Sequence, residues 1–124
     1  MGKFQDDAML DAALNYIKNN GTQLCVCSTQ PTSYAEATST YKLAIRTGLT
    51  AGSFTGPANG DTNGRKLTVN QQATINVDTG GNAQHIAICS GSVLLYVTTC
   101  TPQTLVGGNS VTVPVWDIEI ADAA

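Results

Sequence analysis

The sequence predicts a mainly β fold: a single-domain antiparallel β-sandwich or barrel-like fold with one N-terminal α-helix. Three observations predict it. Apolar residues recur with a helical period before Gly21 and alternate with a period of two after it. Turn-forming Gly, Pro and Asn residues divide the remainder into about seven short segments. Only 12% of the 124 residues are charged, and the Thr, Ser, Asn, Gln and Gly that replace them suit an exposed β-sheet.

The first predicted element is an amphipathic helix over residues 6–19. Its apolar residues share one helical face at i, i+3, i+4 and i+7: Leu10, Ala13, Leu14 and Ile17. Asp6 or Asp7 can cap its start, and Gly21 stands where a glycine commonly ends a helix. We expect this apolar stripe to pack on the body of the domain. The alternative is an arm that docks on a partner.

The β-sandwich is predicted over residues 23–121. The strand segments are 23–29, 41–50, 65–71, 73–79, a hairpin within 83–100, and 110–121. Residues 51–64 are predicted to be a long loop rich in Gly and Asn. The last strand changes phase at Val115-Trp116, which predicts a bulge beside Pro114. Residues 1–124 contain no internal repeat and no linker, so we expect one domain.

The hairpin within residues 83–100, AQHIAICSGSVLLYVTTC, is predicted to turn at Ser90-Gly91. A two-residue loop there places His85 opposite Tyr96 on one face. The other face is expected to be the core face, with Ile86, Ile88, Val93, Leu95 and Val97.

The same register is expected to keep the cysteines and the lone histidine apart. Cys89 and Cys100 lie about 26 Å apart along the hairpin, whereas a disulfide spans about 7 Å between Cα atoms. Cys25 and Cys27 share one face of their strand, but a zinc site needs four ligands. We therefore expect four free thiols that pack as small apolar side chains. His85 is expected to be a surface residue or a cross-strand partner, rather than a ligand or a base.

Acidic residues cluster near the end of the sequence, where Asp117 and Glu119 share a strand face and Asp122 follows. Paired carboxylates can do acid–base work or bind calcium. No histidine or second carboxylate pair lies near them in sequence, so we expect an acidic solvated face. NGDTNGRK, residues 59–66, lacks the glutamate of an EF-hand loop and the spacing of a phosphate loop. The sequence predicts no catalytic, cofactor-binding or metal-ligating residue, and therefore no enzyme.

The composition and the apolar pattern of the sequence argue against two classes of partner, nucleic acids and membranes. The net charge is −3 and the isoelectric point about 4.7, and no basic patch is present, so no nucleic-acid partner is expected. No apolar segment is long enough to span a membrane, so no membrane partner is expected. The opening residues, MGKFQDDAMLDAALNYIKNNG, do not form a secretion signal. Synthesis in a reducing cytoplasm is expected, where cysteines stay free.

Five stretches of the sequence resemble, in the same order and over most of the chain, a family of small virion proteins of tailed bacteriophages and prophages. They are DDAMLDAALNYI, CVCSTQPTSYAEATSTYKLA, DTNGRKLTV, LLYVTTCTPQ and VPVWDIEIAD. The family carries no catalytic residues to transfer. The resemblance implies a non-enzymatic virion structural protein that is made in the host bacterial cytoplasm and located in the virion. It implies either a capsid decoration (cement) protein or a small tail or fibre module.

The leading expectation is a capsid decoration protein that binds a major capsid lattice. Its expected partners are phage capsid or tail proteins, and the protein itself is expected to form a homo-oligomer. The helix, residues 51–64 and the Thr-rich β faces are the candidate contact elements, and neutral polar and apolar contacts are expected to dominate. The alternative is a tail- or fibre-associated module that binds carbohydrate or a cell-surface receptor. Its candidate aromatic contacts are Tyr34, Tyr41, Phe54 and Trp116.

Overall fold

The computed structural model describes residues 6–61 and 64–120. Strands account for 50% of the structure and helices for 21%, and the strands form three antiparallel sheets that do not close into a barrel. The predicted mainly β fold with an N-terminal helix is therefore confirmed. Of the two predicted arrangements, layered sheets form and a closed barrel does not.

The described residues form one α-helix, nine strands and two short helical turns. In chain order these are α1 (Asp7–Asn20), β1 (Gln23–Cys27), a π-helical turn (Glu36–Thr40), β2 (Lys42–Arg46), a 3-10 turn (Ala51–Ser53), β3 (Phe54–Asn59), β4 (Arg65–Val69), β5 (Gln72–Asn76), β6 (Gly81–Cys89), β7 (Leu94–Leu105), β8 (Ser110–Val113) and β9 (Trp116–Ile120). Sheet A has the order β2-β1-β6-β7, sheet B the order β3-β4-β9, and sheet C pairs β5 with β8.

One cluster of buried side chains draws on α1 and on all three sheets. Its fully buried members include Leu14 of α1, Leu24 of β1, Leu67 of β4, Ile75 of β5 and Ile88 of β6. A second, smaller cluster lies on the other face of sheet A, under the segment that contains the π-helical turn. Sheet A is therefore covered on both faces, which explains why β1 is buried from Leu24 to Cys27 rather than at alternate positions.

The helix packs on the domain, as the apolar stripe predicts. Leu10 and Leu14 are buried, whereas Ala13 of the predicted stripe is exposed. α1 lies against β3, β4 and the 3-10 turn. Arg65 of β4 holds Asp11 of α1 through two hydrogen bonds, Nε to Oδ1 at 2.7 Å and Nη2 to Oδ2 at 3.2 Å. The helix is thus fixed by both apolar packing and a paired charge.

The expected loop at residues 51–64 is wrong over Phe54–Asn59, which form a strand. After the 3-10 turn the chain forms β3, which pairs with β4 from Phe54 opposite Val69 to Asn59 opposite Arg65. The register shifts between Thr55 and Ala58, at Gly56-Pro57. An edge strand tolerates glycine and proline at such a bulge, so composition alone suggested a loop.

The expected single strand over residues 110–121 is also wrong, because the chain changes sheets within it. β8 pairs with β5 in sheet C, and β9 pairs with β4 in sheet B. The phase change lies at Pro114-Val115, where proline ends one ladder. The chain therefore passes from sheet C to sheet B at the position where a bulge was predicted. Residue 121 of the predicted strand lies outside the described residues.

The expected register of the hairpin is wrong by several residues. His85 lies opposite Thr99 rather than Tyr96, and Tyr96 lies opposite Ile88. At the turn, Cys89 pairs with Leu94 rather than with Ser92, and the Ser90 N–H donates to the Val93 carbonyl at 2.8 Å. The ladder also has irregularities after Ala83 and after Ile88. Each irregularity shifts the pairing and can exchange the faces of β7.

The new register changes which β7 side chains reach the core. Tyr96, Cys100 and the predicted Leu95 pack against the main core cluster. Val97 packs in the second cluster instead, and Val93 is 52% exposed. The predicted core face is therefore correct for β6 and largely wrong for β7.

Candidate interaction surface

One long stretch of the sequence forms a surface that lacks charged side chains. From Thr79 to Trp116 the sequence contains no Asp, Glu, Lys or Arg, and this span forms β6, β7 and β8. Exposed positions of β7 carry uncharged polar or cyclic side chains: Thr99, Thr101, Pro102, Gln103 and Thr104. Such a surface costs less to desolvate than a charged one, and depletion of charge is typical of the centre of a protein interface.

Exposed apolar side chains also concentrate in this charge-free span, by which we mean residues 79–116. Five large apolar side chains of the described residues are more than half exposed, and three of them, Val93, Val106 and Val115, lie in the span. The other two, Met9 and Tyr16, lie on the solvent side of α1. The span therefore combines absent charge with exposed apolar area.

Strand β7 is also the open edge of sheet A. On the opposite edge, β2 is covered, because Asp78 and Thr79 both donate to the Leu43 carbonyl, at 2.8 and 3.2 Å, and Ala44 forms a bridge with Val77. Among residues 6–61 and 64–120, no backbone hydrogen bond joins β7 to a segment other than β6. One side of this 12-residue strand therefore presents free N–H and C=O groups.

A cleft opens below β7, between sheet A and the segment that contains β8 and β9. It has a volume of about 410 Å³, and its lining includes Ile86, Val113 and Trp116 together with threonine side chains. The Trp116 ring stacks on Tyr96 with centroids 6.0 Å apart, and the indole N–H is buried without a hydrogen-bond partner. The cleft is mainly apolar, and Asp117 is the one charged residue among the described residues that line it.

The cysteines are not scattered as the sequence predicted. Cys25, Cys27 and Cys89 are all fully buried and pack in the second cluster, on one face of sheet A. His85 lies opposite Cys27 in the ladder and so belongs to the same face. Cys100 packs against the main core on the other face. The pairing of β1 with β6, which no local pattern reveals, brings the three thiols together.

Within this thiol cluster, Cys25 and Cys27 are held in the protonated form. The Cys25 thiol donates a hydrogen bond to Cys89, and this bond together with burial raises the pKa of Cys25. The same hydrogen bond lowers the pKa of Cys89, against the effect of burial. Burial raises the pKa of Cys27 to about 12, and its thiol donates to the Ala37 carbonyl at 3.5 Å. Since the thiolate is the nucleophile and the metal ligand, Cys25 and Cys27 are poor in both roles at neutral pH.

The acidic residues do come together, but around a lysine. Asp61, Asp117 and Glu119 have carboxylate oxygens within 4.8 Å of one another, and no other such group of three metal-ligand side chains occurs in the described ranges. Lys66 Nζ lies 2.7 Å from Asp61 Oδ1 and 3.6 Å from Asp117 Oδ2. This ammonium lowers the pKa of Asp61. The expected acidic face is therefore partly neutralised; Asp122 lies outside the described residues.

The four candidate aromatic contacts do not form an exposed platform. Phe54 is 4% exposed in the main core, and Trp116 stacks on Tyr96. Tyr34 and Tyr41 pack against the thiol cluster and are half-buried. A sugar-binding groove usually presents the flat face of an aromatic ring, and none of these four residues is fully exposed.

A scan against protein-family models, a search of curated proteins and a search of solved structures each gave no match for this chain. In the part of the chain that the structure describes, no helix is long and apolar enough to cross a membrane.

The sequence contained a signal for this surface that our pattern-based predictions did not use. The absence of charge between Thr79 and Trp116 is visible in the sequence alone. The sequence alone does not show that β7, in the middle of that span, is the open edge of a sheet. The position of a strand at an edge depends on pairings between strands that are distant in the sequence.

Proposed function

We propose that this protein is a non-enzymatic bacteriophage virion structural protein, and specifically a capsid decoration protein that binds a major capsid lattice. The observation that carries the proposal is the charge-free span with its exposed valines. The resemblance of five stretches to virion proteins of tailed phages supports the same role.

The physical basis is contact through neutral polar and apolar surface. A protein that binds many identical sites on a particle needs a rigid body and a face that loses little on desolvation. The core joins α1 to all three sheets, which supplies the rigid body. The exposed Thr, Gln and Val side chains of the span supply the face.

The test is addition of the purified protein to capsids assembled without it, from the phage or prophage that encodes the chain. We expect saturable co-sedimentation and greater resistance of the particles to heat. Gln103→Lys with Ser110→Lys, two exposed positions of the span, should weaken binding at least about tenfold because they bring charge into the contact. The matched control, Thr29→Lys with Ser39→Lys, adds the same charge at exposed positions outside the span and should bind as the unaltered protein does. Absence of co-sedimentation, or equal weakening by both variants, would contradict the proposal.

The tail- or fibre-associated module that binds carbohydrate has less support, because the four candidate aromatic residues are buried, stacked or half-buried. A glycan array probed with the isolated protein distinguishes the two roles, since a decoration protein is expected to show no saturable glycan binding.

A further inference from the structure

Two of the four edges of sheets A and B, β2 and β3, are protected from pairing with another chain in different ways. On β2, the segment at Asp78 and Thr79 covers the outer side, and Lys42 and Arg46 add charge. On β3, Gly56-Pro57 interrupts the ladder, and the Lys18 ammonium binds the Gly56 carbonyl at 2.8 Å. Charge, proline and coverage are the devices by which natural proteins prevent edge-to-edge association.

The remaining two edges differ sharply from each other. β9 carries Asp117 and Glu119, so two copies brought together at this edge repel. β7 carries no charge, and its first eight residues, Leu94–Thr101, precede its only proline, Pro102. These eight residues span about 26 Å of uncovered, uncharged edge. β7 is therefore the unprotected edge of these two sheets in the described structure.

We propose that two copies of this protein associate through β7, antiparallel and about a two-fold axis, so that their sheets A form one continuous sheet of eight strands. A second copy is the occupant that the observations favour. An antiparallel strand pair about a two-fold axis is self-complementary, so one edge serves both partners. An uncharged strand meets an identical strand without repulsion, and each copy satisfies the free N–H and C=O groups of the other. The proposal gives a surface to the homo-oligomer expected from the sequence, and it does not depend on the proposed binding to a capsid lattice.

The test uses the isolated full chain, without capsids, so its failure is separate from failure of the proposed function. Sedimentation equilibrium over a range of concentrations should show a monomer–dimer equilibrium. Thr99→Lys with Thr101→Lys, at exposed positions of β7, adds two ammonium groups to the edge of each copy. Lysine on an edge strand opposes pairing with another strand, so the dissociation constant should rise at least about tenfold. The control variant Thr29→Lys with Ser39→Lys adds the same charge away from β7 and should leave the constant unchanged.

Hydrogen exchange locates the interface independently of the variants. Backbone amides within residues 94–101 that face away from β6 should exchange slowly at concentrations where the dimer dominates and rapidly at high dilution. The thermal midpoint and circular dichroism of each variant, measured at high dilution, establish that it is folded. A monomer at all concentrations, a dimer that Thr99→Lys with Thr101→Lys leaves unchanged, or concentration-dependent protection elsewhere but not in residues 94–101 would each overturn the proposal.

Discussion

At the scale of single residues, Gly21 follows the end of α1, as predicted, but the lack of a side chain there serves close packing rather than a left-handed backbone. Its φ of −72° lies outside the left-handed region, so any residue can adopt this backbone. Space is the constraint: a Cβ would lie 2.7 Å from the Ile17 carbonyl oxygen, 3.0 Å from Ile88 Cγ2 and 3.2 Å from Phe54 Cζ. The glycine lets the end of α1 approach sheet A closely.

We expect Gly21→Ala to lower the free energy of unfolding by about 1–3 kcal/mol, because a methyl group must displace backbone and core atoms. Gly91→Ala is the control. A Cβ at Gly91 would meet no atom within 4 Å, and Gly91 has no positive φ, so the change should be neutral within about 0.5 kcal/mol or slightly stabilising. Urea denaturation measures both. Equal effects of the two substitutions would contradict the close approach at Gly21.

The buried Cys27 thiol should make stability fall in alkali. Burial raises its pKa in the folded protein from 9.0 to about 12, so the unfolded chain releases this proton first. The stabilisation is complete below pH 9 and is lost as the pH rises from about 9 towards about 12, by about 1.4 kcal/mol per pH unit.

The measurement compares unfolding free energies at pH 8 and pH 10.5. The decline over this interval should be smaller in Cys27→Ala than in the unaltered protein by about 2 kcal/mol, since that titration is removed. Cys100→Ala, which removes a less buried thiol on the other face of sheet A, should change the decline less. Parallel pH profiles for the unaltered protein and Cys27→Ala would show that Cys27 ionises in the folded state as easily as in the unfolded chain.

At the scale of elements, α1 is an integral part of the core rather than an arm. Leu14 is fully buried in the main cluster, whereas Met9, on the same helix, is 60% exposed. The Arg65–Asp11 pair, with side chains 17% and 25% exposed, adds a polar contact beside the apolar one. The helix should therefore melt together with the sheets.

Leu14→Ala is expected to lower the free energy of unfolding by about 2–4 kcal/mol, from lost burial and the cavity that remains. Met9→Ala should change it by less than about 0.5 kcal/mol. Calorimetry checks this and also whether one transition describes helix and sheets together. If Leu14→Ala costs no more than Met9→Ala, the helix does not contribute to the cooperative unit.

Elements also show what the sequence can and cannot predict. The helix and most strands follow from periods of 3.6 and 2, because one covered face leaves a regular pattern of apolar residues. β3 was missed since Gly56-Pro57 breaks that pattern at a bulge. The register of β6 and β7 was missed since the irregularity beside Cys89 shifts every later pair. The local pattern of apolar residues does not reveal the bulge in β3 or the register shift between β6 and β7.

At the scale of the whole molecule, the sheets are assembled from strands far apart in sequence. β1 pairs with β6, β4 with β9 and β5 with β8. The thiol cluster and the open edge of β7 are both products of these pairings, so neither was predictable from local composition. The mainly β class was predictable, because it depends on the summed pattern of the chain and not on which strand meets which.

The change of sheet at Pro114-Val115 determines when this protein can fold during its synthesis. A nascent chain that has left the ribosome only as far as β7 holds β4 without β9, although β3 is present, and holds β5 without β8. Both partners arrive together, in the short stretch from Ser110 to Ile120. Sheets B and C can therefore be completed only after that stretch emerges, and a ribosome that stalls before it holds a chain with unpaired strand edges, which are prone to aggregate.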